Sequence, residues 1–321
     1  MLLDAQQRVI NYVRLSVTDR CNLRCTYCMP ADMKFAKKDT LLTDEEIITV
    51  LSTLAAAGVS KVRITGGEPF LRPGLLSLLE KIHNIEGIAN IAVTTNGVLT
   101  SDYIPALKKL GADHINLSLD TLQADRFIKI TRRDSFAAVI KTFDSLLAHQ
   151  LQVKINMVVM DNVNTDEIND FVALTKDAPV SVRFIEEMPF NGQGHGFSGI
   201  NWNYHRILET ISVQYQLQKL SDAPNTTSIN YRIPGHQGSI GVIPAYSRTF
   251  CGSCNRLRIA ANGGVRTCLY GNDVLNLKKL INTGQPLMPA IIDALNARYA
   301  DGFEAEKHAS LDKASMSLIG G

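Results

Sequence analysis

Six cysteines constrain this chain of 321 residues more than any other feature, because of where they fall. Cys21, Cys25 and Cys28 form one group near the start, Cys251, Cys254 and Cys268 form another near the end, and none is scattered elsewhere. Whatever the fold, it must hold each triple together. Three disulfides are arithmetically possible, but such frameworks belong to small secreted domains. A chain this long can bury a sizeable core without them. No basic segment followed by an apolar one opens the sequence, so no secretory signal is read and a cytoplasmic location is expected. Clustered thiolates in a reducing compartment point to metal. The longest apolar runs, such as residues 155–160, fall far short of a membrane span. A net charge of +2 by itself argues neither for nor against nucleic acid.

The first part of the chain alternates between strand and amphipathic-helix patterns. Residues 13–18 read as a strand ending just before the first cysteine group. Thr43 and Glu46 have capping-box spacing and open a helix through Ile47, Leu51, Leu54 and Ala55, stopped at Gly58. Strands are expected near 61–65, 88–95, 114–118, 153–159 and 180–185, with helices near 75–82, 103–110, 136–149 and 166–175 between them. This alternation predicts an α/β fold with a parallel sheet. Six such strands are too few for a closed eight-stranded barrel, which leaves an open, partial (βα)6 TIM-like barrel or a doubly wound sheet. In both, chemistry gathers at the carboxyl ends of the strands. Residues 65–69, 94–97, 118–120 and 186–188 each lie where a strand runs out, which predicts a shared rim. Periodicity weakens after Phe190, and the four glycines within 191–199 read as a loop or linker. The expected division is therefore 1–190 for the barrel and 191–321 for a C-terminal extension.

Cys21-Asn22-Leu23-Arg24-Cys25-Thr26-Tyr27-Cys28 places three thiolates on a loop after a strand. Three thiolates can hold three irons of a [4Fe-4S] cube and leave the fourth iron without a protein ligand. Cluster potentials reach as low as about −700 mV, which suits one-electron reductive chemistry. Structural zinc wants four protein ligands, and the nearest histidine is His83. This spacing, with an aromatic before the last cysteine, resembles the radical S-adenosylmethionine (SAM) superfamily signature. The resemblance implies that SAM chelates the open iron and is split reductively to methionine and a 5′-deoxyadenosyl radical. Thr65-Gly66-Gly67-Glu68-Pro69 resembles that superfamily's SAM-amino-binding segment, where glycines allow close backbone approach.

The second group is Cys251-Gly252-Ser253-Cys254 followed by Cys268, again three thiolates with no obvious fourth. A zinc ribbon would need a second cysteine pair, though His236 or His308 could complete a zinc site. The alternative is a second [4Fe-4S] cluster whose open iron is available to a substrate. From Ala223 to Asn272 there is no Asp or Glu, while Arg232, Arg248, Arg256, Arg258 and Arg266 fall in that window. Arginine forks without counter-charges suit phosphate oxygens, and the sparse aromatics favour a compact polyanion over a strand of RNA. No Walker A loop occurs, so a bound nucleotide would be a substrate held by side chains.

Taken in order, residues 19–25, 63–69, 116–120, 183–186, 250–258 and the terminal Gly320-Gly321 resemble one family along nearly the whole chain, the GTP 3′,8-cyclases of molybdenum cofactor biosynthesis. The resemblance implies that hydrogen abstraction at ribose C3′ is followed by attack on guanine C8 and reduction to 3′,8-cyclo-7,8-dihydro-GTP. Carried across residue by residue, it implies SAM contacts at Tyr27, Gly67, Ser118 and Met188. It implies GTP contacts at Arg14, Arg63, Thr94, Lys154, Arg256 and Arg258, and a catalytic tail ending in Gly320 and Gly321. Lys154 also stands out in the residues themselves, since strand alternation sets it opposite an apolar face. The implied partners are GTP, SAM, an electron donor such as flavodoxin or ferredoxin and the next pathway enzyme, with room for a homodimer but no nucleic acid or membrane. The rival readings are a peptide-modifying radical SAM enzyme with an auxiliary cluster, and a zinc-stabilised nucleic-acid-binding protein.

Overall fold

Alternate apolar positions on each predicted strand find a common use: they pack outward against helices, while the residues between them face a central space. The computed structural model describes residues 1–112, 114–190, 200–309 and 315–319. Its strands are β1 (Tyr12–Ser16), β2 (Lys61–Thr65), β3 (Asn90–Thr95), β4 (His114–Ser118), β5 (Gln152–Val159), β6 (Ser181–Glu186), β7 (Gln218–Lys219), β8 (Ile229–Arg232), β9 (Ser239–Ile243), β10 (Arg256–Ile259), β11 (Gly264–Arg266) and β12 (Leu275–Asn276). The helices are α1 (Asp44–Ala56), α2 (Leu75–His83), α3 (Ile104–Lys109), α4 (Ala124–Thr131), α5 (Phe136–Ala148), α6 (Ile168–Asp177), α7 (Tyr204–Ser212), α8 (Leu277–Asn282), α9 (Leu287–Asn296) and α10 (Gly302–Lys307).

All strands join one sheet in the order β12-β11-β10-β1-β2-β3-β4-β5-β6-β9-β8-β7. The six expected strands, β1 to β6, run parallel in chain order, as a partial (βα)6 barrel requires. The C-terminal region adds one parallel strand to each edge, β10 beside β1 and β9 beside β6. Antiparallel strands β11–β12 and β8–β7 then finish the two ends. Finishing both edges with short antiparallel strands keeps the sheet open without long unpaired parallel edges.

Local signals decide where the elements start. In α1 the Thr43 hydroxyl accepts from Glu46 N at 3.2 Å, and the Glu46 carboxylate accepts from Thr43 N at 2.7 Å. That is the reciprocal capping box expected from the spacing. Ile47, Val50, Leu51 and Leu54 are then buried on one face, each contributing about 2 kcal/mol by its removal from water. Along β5, Val153, Ile155, Met157 and Val159 are buried while Lys154, Asn156 and Val158 alternate with them. Residues 124–131, absent from the predicted elements, form α4 with Phe127 and Ile130 buried. The linker at 191–199 lies outside the described residues. Among the described residues, no helix is long and apolar enough to cross a membrane.

Candidate active site between two cysteine groups

The register of the parallel strands places like charges side by side. Arg258 of β10, Arg14 of β1 and Arg63 of β2 are aligned across three adjacent strands. One pair earlier, Arg256, Tyr12 and Lys61 form a second row. Neighbouring strands are about 4.8 Å apart, and like charges directly opposite one another destabilise a sheet. Lys154 of β5 and Arg183 of β6 approach from the other side of the same space.

These side chains line a cavity of about 940 Å³ running through the barrel. The predicted residues Tyr27, Ser118, Met188, Arg14, Arg63, Thr94, Lys154, Arg256 and Arg258 all line it, together with Cys251, Cys254 and Cys268. Gly67 does not. It lies against the chain entering the first cysteine loop. A Cβ on Gly67 would stand 2.3 Å from the Arg20 carbonyl oxygen, and one on Gly66 2.5 Å from that of Thr18. Gly67 N and Glu68 N donate to Thr18 O and Arg20 O, both at 2.8 Å, so the end of β2 is laced directly to the chain entering Cys21.

The sequence reading missed Lys61 and Arg183 as cavity residues. Their signal was available: Lys61 precedes Arg63 by two, and Arg183 alternates with the apolar Val182 and Phe184 of β6, so strand alternation puts each on the inner face. Several buried polar atoms here have no hydrogen-bond partner: Nε of Arg14, Arg63 and Arg183, Nε and Nη2 of Arg256, Thr94 Oγ1 and Asn156 Oδ1. Unmet buried polar atoms of this kind are costly unless a ligand satisfies them. Burial and neighbouring cations push Lys154 down to about 8, with Arg183 the nearest source of repulsion. The same causes lower Arg14, through burial and Arg258, and bring Arg183 down to about 10. The two carboxylates on the lining are already engaged. Glu186 accepts from Tyr204 N, Tyr246 N, Ser247 N and the Ser247 hydroxyl, and Asp120 accepts from Tyr27 and Val158 N.

Cys21, Cys25 and Cys28 follow β1, free and partly buried. Leu23 N donates to Cys21 Sγ at 3.4 Å and Asn96 Nδ2 at 3.6 Å. Tyr27 donates its hydroxyl to Asp120 at 2.8 Å, which pins the aromatic ring at the cavity wall. Burial pushes Cys21 up to about 11 and Cys28 up to about 12, and Cys25 well above its ordinary value, reinforced by Asp120 and the other two thiols. Glu68, buried and held by Asn96 N, Thr95 and Phe70 N, is raised to about 7 by desolvation. The predicted actors Gly320 and Gly321 lie outside the described residues. The segment just before them sits on this loop: the Ser315 hydroxyl donates to Cys28 O at 2.8 Å, and Met316 N to Cys28 O and Phe190 O at 3.3 Å.

Cys251, Cys254 and Cys268 surround the start of β10 and the end of β11. Here burial alone would raise Cys254, but Arg256 and Arg298 outweigh it and hold the thiol down at about 7. Arg8 Nη1 donates to Cys251 O at 2.9 Å. Arg8 and Arg298 share the buried Asp4 carboxylate at 2.6 and 3.0 Å. Each triple consists of thiols alone, a donor set suited to iron–sulfur clusters, and among the described residues no three His, Cys, Asp or Glu side chains converge as around a single ion.

A parallel partial barrel with a three-cysteine loop after its first strand defines the radical SAM class, and the model for the Radical SAM superfamily matches residues 15–175. SuiB from Streptococcus suis, solved bound to its precursor peptide SuiA, superposes with a TM-score of 0.66 at 14% identity, covering 97% of this chain and 76% of that one. The model for Molybdenum Cofactor Synthesis C matches residues 180–303. A protein from Clostridium botulinum named GTP 3′,8-cyclase is 38% identical over the full length of both chains. The Caenorhabditis elegans molybdenum cofactor biosynthesis protein moc-5 is 40% identical across 92% of this chain and 50% of its own length. This chain belongs to the GTP 3′,8-cyclase family, within the radical SAM superfamily. It spans about half the length of several curated animal relatives that it matches. Membership of the superfamily implies a [4Fe-4S] cluster and SAM binding.

Proposed function

We propose that the chain cyclises GTP to 3′,8-cyclo-7,8-dihydro-GTP in a radical SAM reaction of molybdenum cofactor biosynthesis. The observation that carries this reading is the cavity between the two thiol groups, with its rows of like-charged side chains and unmet buried donors. A triphosphate carries the charge and oxygens that such a surface lacks. SAM bound at the first cluster supplies, on one-electron reduction, the radical that takes the ribose C3′ hydrogen. A second electron and a proton complete the product after C3′ has bonded to C8, so a low-potential one-electron donor of the flavodoxin or ferredoxin kind is required.

On this reading Tyr27, Gly67, Ser118 and Met188 hold SAM. Tyr27 is kept in place by Asp120, and Gly67 acts by letting β2 approach the cysteine loop. Lys61, Arg63, Lys154 and Arg183 receive the triphosphate. Arg14, Thr94, Arg256 and Arg258 orient the nucleoside beside Cys251, Cys254 and Cys268, which hold a second [4Fe-4S] cluster. Residues 1–190 thus hold SAM and most of the GTP contacts, and 191–321 add Arg256, Arg258 and the second cysteine group, with Gly320 and Gly321 acting from the tail and the product passing to the next pathway enzyme.

The test is anaerobic. Reconstituted, reduced protein given GTP and SAM is expected to yield 5′-deoxyadenosine together with a cyclised GTP product, identified by mass. Deoxyadenosine formed without any GTP-derived product would reject the cyclase and favour a peptide substrate.

A further inference from the structure

The proposed reaction consumes electrons, and SAM, GTP and the tail fill the inner side of the first cysteine loop. The outer side of that loop is different. Arg24 Nη1 donates to Cys21 O and Leu23 O, both at 2.7 Å. Arg132 Nη1 reaches Arg24 O at 2.9 Å and Met29 O at 3.4 Å. Arg132 holds a left-handed backbone conformation at the C-terminus of α4 (φ 57°), a position where glycine or asparagine is the usual occupant. Strain is accepted there in exchange for a guanidinium laid on the cysteine loop.

The exposed Arg20, Lys34, Lys129 and Arg133 belong to the same two segments of chain. Segments 20–34 and 129–134 therefore carry six cations against only Asp32 and Asp134. None of the six makes an ion pair among the described residues. The patch is continuous, because Phe35 lies under both Arg20 (5.9 Å) and Arg24 (4.9 Å), and Arg24 N bonds to Thr131 O at 2.9 Å. Arg24 and Arg132 bond carbonyls of the cysteine loop itself, so this charge lies directly against the loop.

Resting on the proposed function, we infer that this face is the docking surface for an acidic one-electron carrier protein, which delivers its electron through the cysteine loop. Electron transfer falls steeply with distance, so a carrier must dock on the surface nearest the acceptor. Brief redox encounters use small, charge-steered interfaces, and unpaired cations over the loop provide the steering field. The free electrons enter from outside while the substrates occupy the lumen, so neither blocks the other.

The test uses the reconstituted full chain and reduced flavodoxin as the acidic carrier, with dithionite as a small-molecule comparison. The double variant Lys34→Glu/Lys129→Glu leaves Arg24 and Arg132 untouched and alters no cavity residue. Flavodoxin-driven formation of 5′-deoxyadenosine at low salt should fall by about tenfold or more in the variant. Dithionite-driven formation should stay within about twofold, since a small reductant needs no steering. Raising ionic strength to about 0.15 M should slow the flavodoxin-driven reaction of the unaltered protein and have little effect on the variant. Equal flavodoxin-driven rates in both proteins, or an equal loss with dithionite, would overturn the surface. Failure of GTP conversion with SAM cleavage intact would instead count against the cyclase and leave the docking result readable.

Discussion

The two cysteine groups offer the same three thiols in different electrical surroundings. Around the first, Asp120 and Glu68 add negative potential to burial, and every thiol is pushed up. Around the second, Arg256 and Arg298 overcome burial and hold Cys254 down at about 7, while burial raises Cys251. Net charge and hydrogen bonding near the sulfurs are the main levers on cluster behaviour. A negative neighbourhood favours giving an electron away, as SAM cleavage demands. A positive one favours keeping an anionic nucleotide close. Ligand count alone made the groups look alike, and under the proposed function their surroundings suit different tasks.

The largest test of this contrast falls on the belt behind the second group. Asp4 is 1% exposed and shared by Arg8 and Arg298. Removing one partner of a buried charge network costs about 3–5 kcal/mol. Asp4→Asn should therefore lower the unfolding free energy by that order, measured by denaturant titration, and should lose iron from the second group before the first. Equal loss from both would erase the asymmetry.

A smaller effect is expected at Arg256, whose Nε and Nη2 are buried without partners. Charge-assisted hydrogen bonds contribute about 2 kcal/mol. Arg256→Ala should thus weaken apparent GTP affinity about thirtyfold by that measure, with SAM cleavage in the absence of GTP little changed. The smallest effect is a pH dependence. Lys154, lowered to about 8, is charged below that pH and neutral above it. Apparent GTP affinity should therefore decline as pH rises through about 8, and the decline should vanish in Lys154→Arg, whose guanidinium stays charged.

Much of this was legible in the sequence, and the rest was hidden for identifiable reasons. The cysteine groups, the rim segments and the capping box at Thr43 are local patterns, so they could be read directly. Lys154 came from the family resemblance with strand alternation in agreement, and the same rule would have found Lys61 and Arg183 had it been applied to every strand. Helix α4 escaped because it is short and its N-cap, Gln123, makes no side-chain cap. The pairing of β10 with β1, and the reach of Arg8 to Cys251, join residues more than 240 apart, and no local pattern encodes such partners. The register that sets Arg258, Arg14 and Arg63 abreast follows from that pairing, so the most informative electrostatic feature of the site appears only in the folded chain.

The central claim is that each cysteine triple holds a cluster with one iron free of protein ligands. Iron and acid-labile sulfide analysis of protein reconstituted under nitrogen tests it directly. The account predicts about eight irons and about eight sulfides per chain, as two four-iron clusters require. Two zinc ions with no sulfide would contradict it.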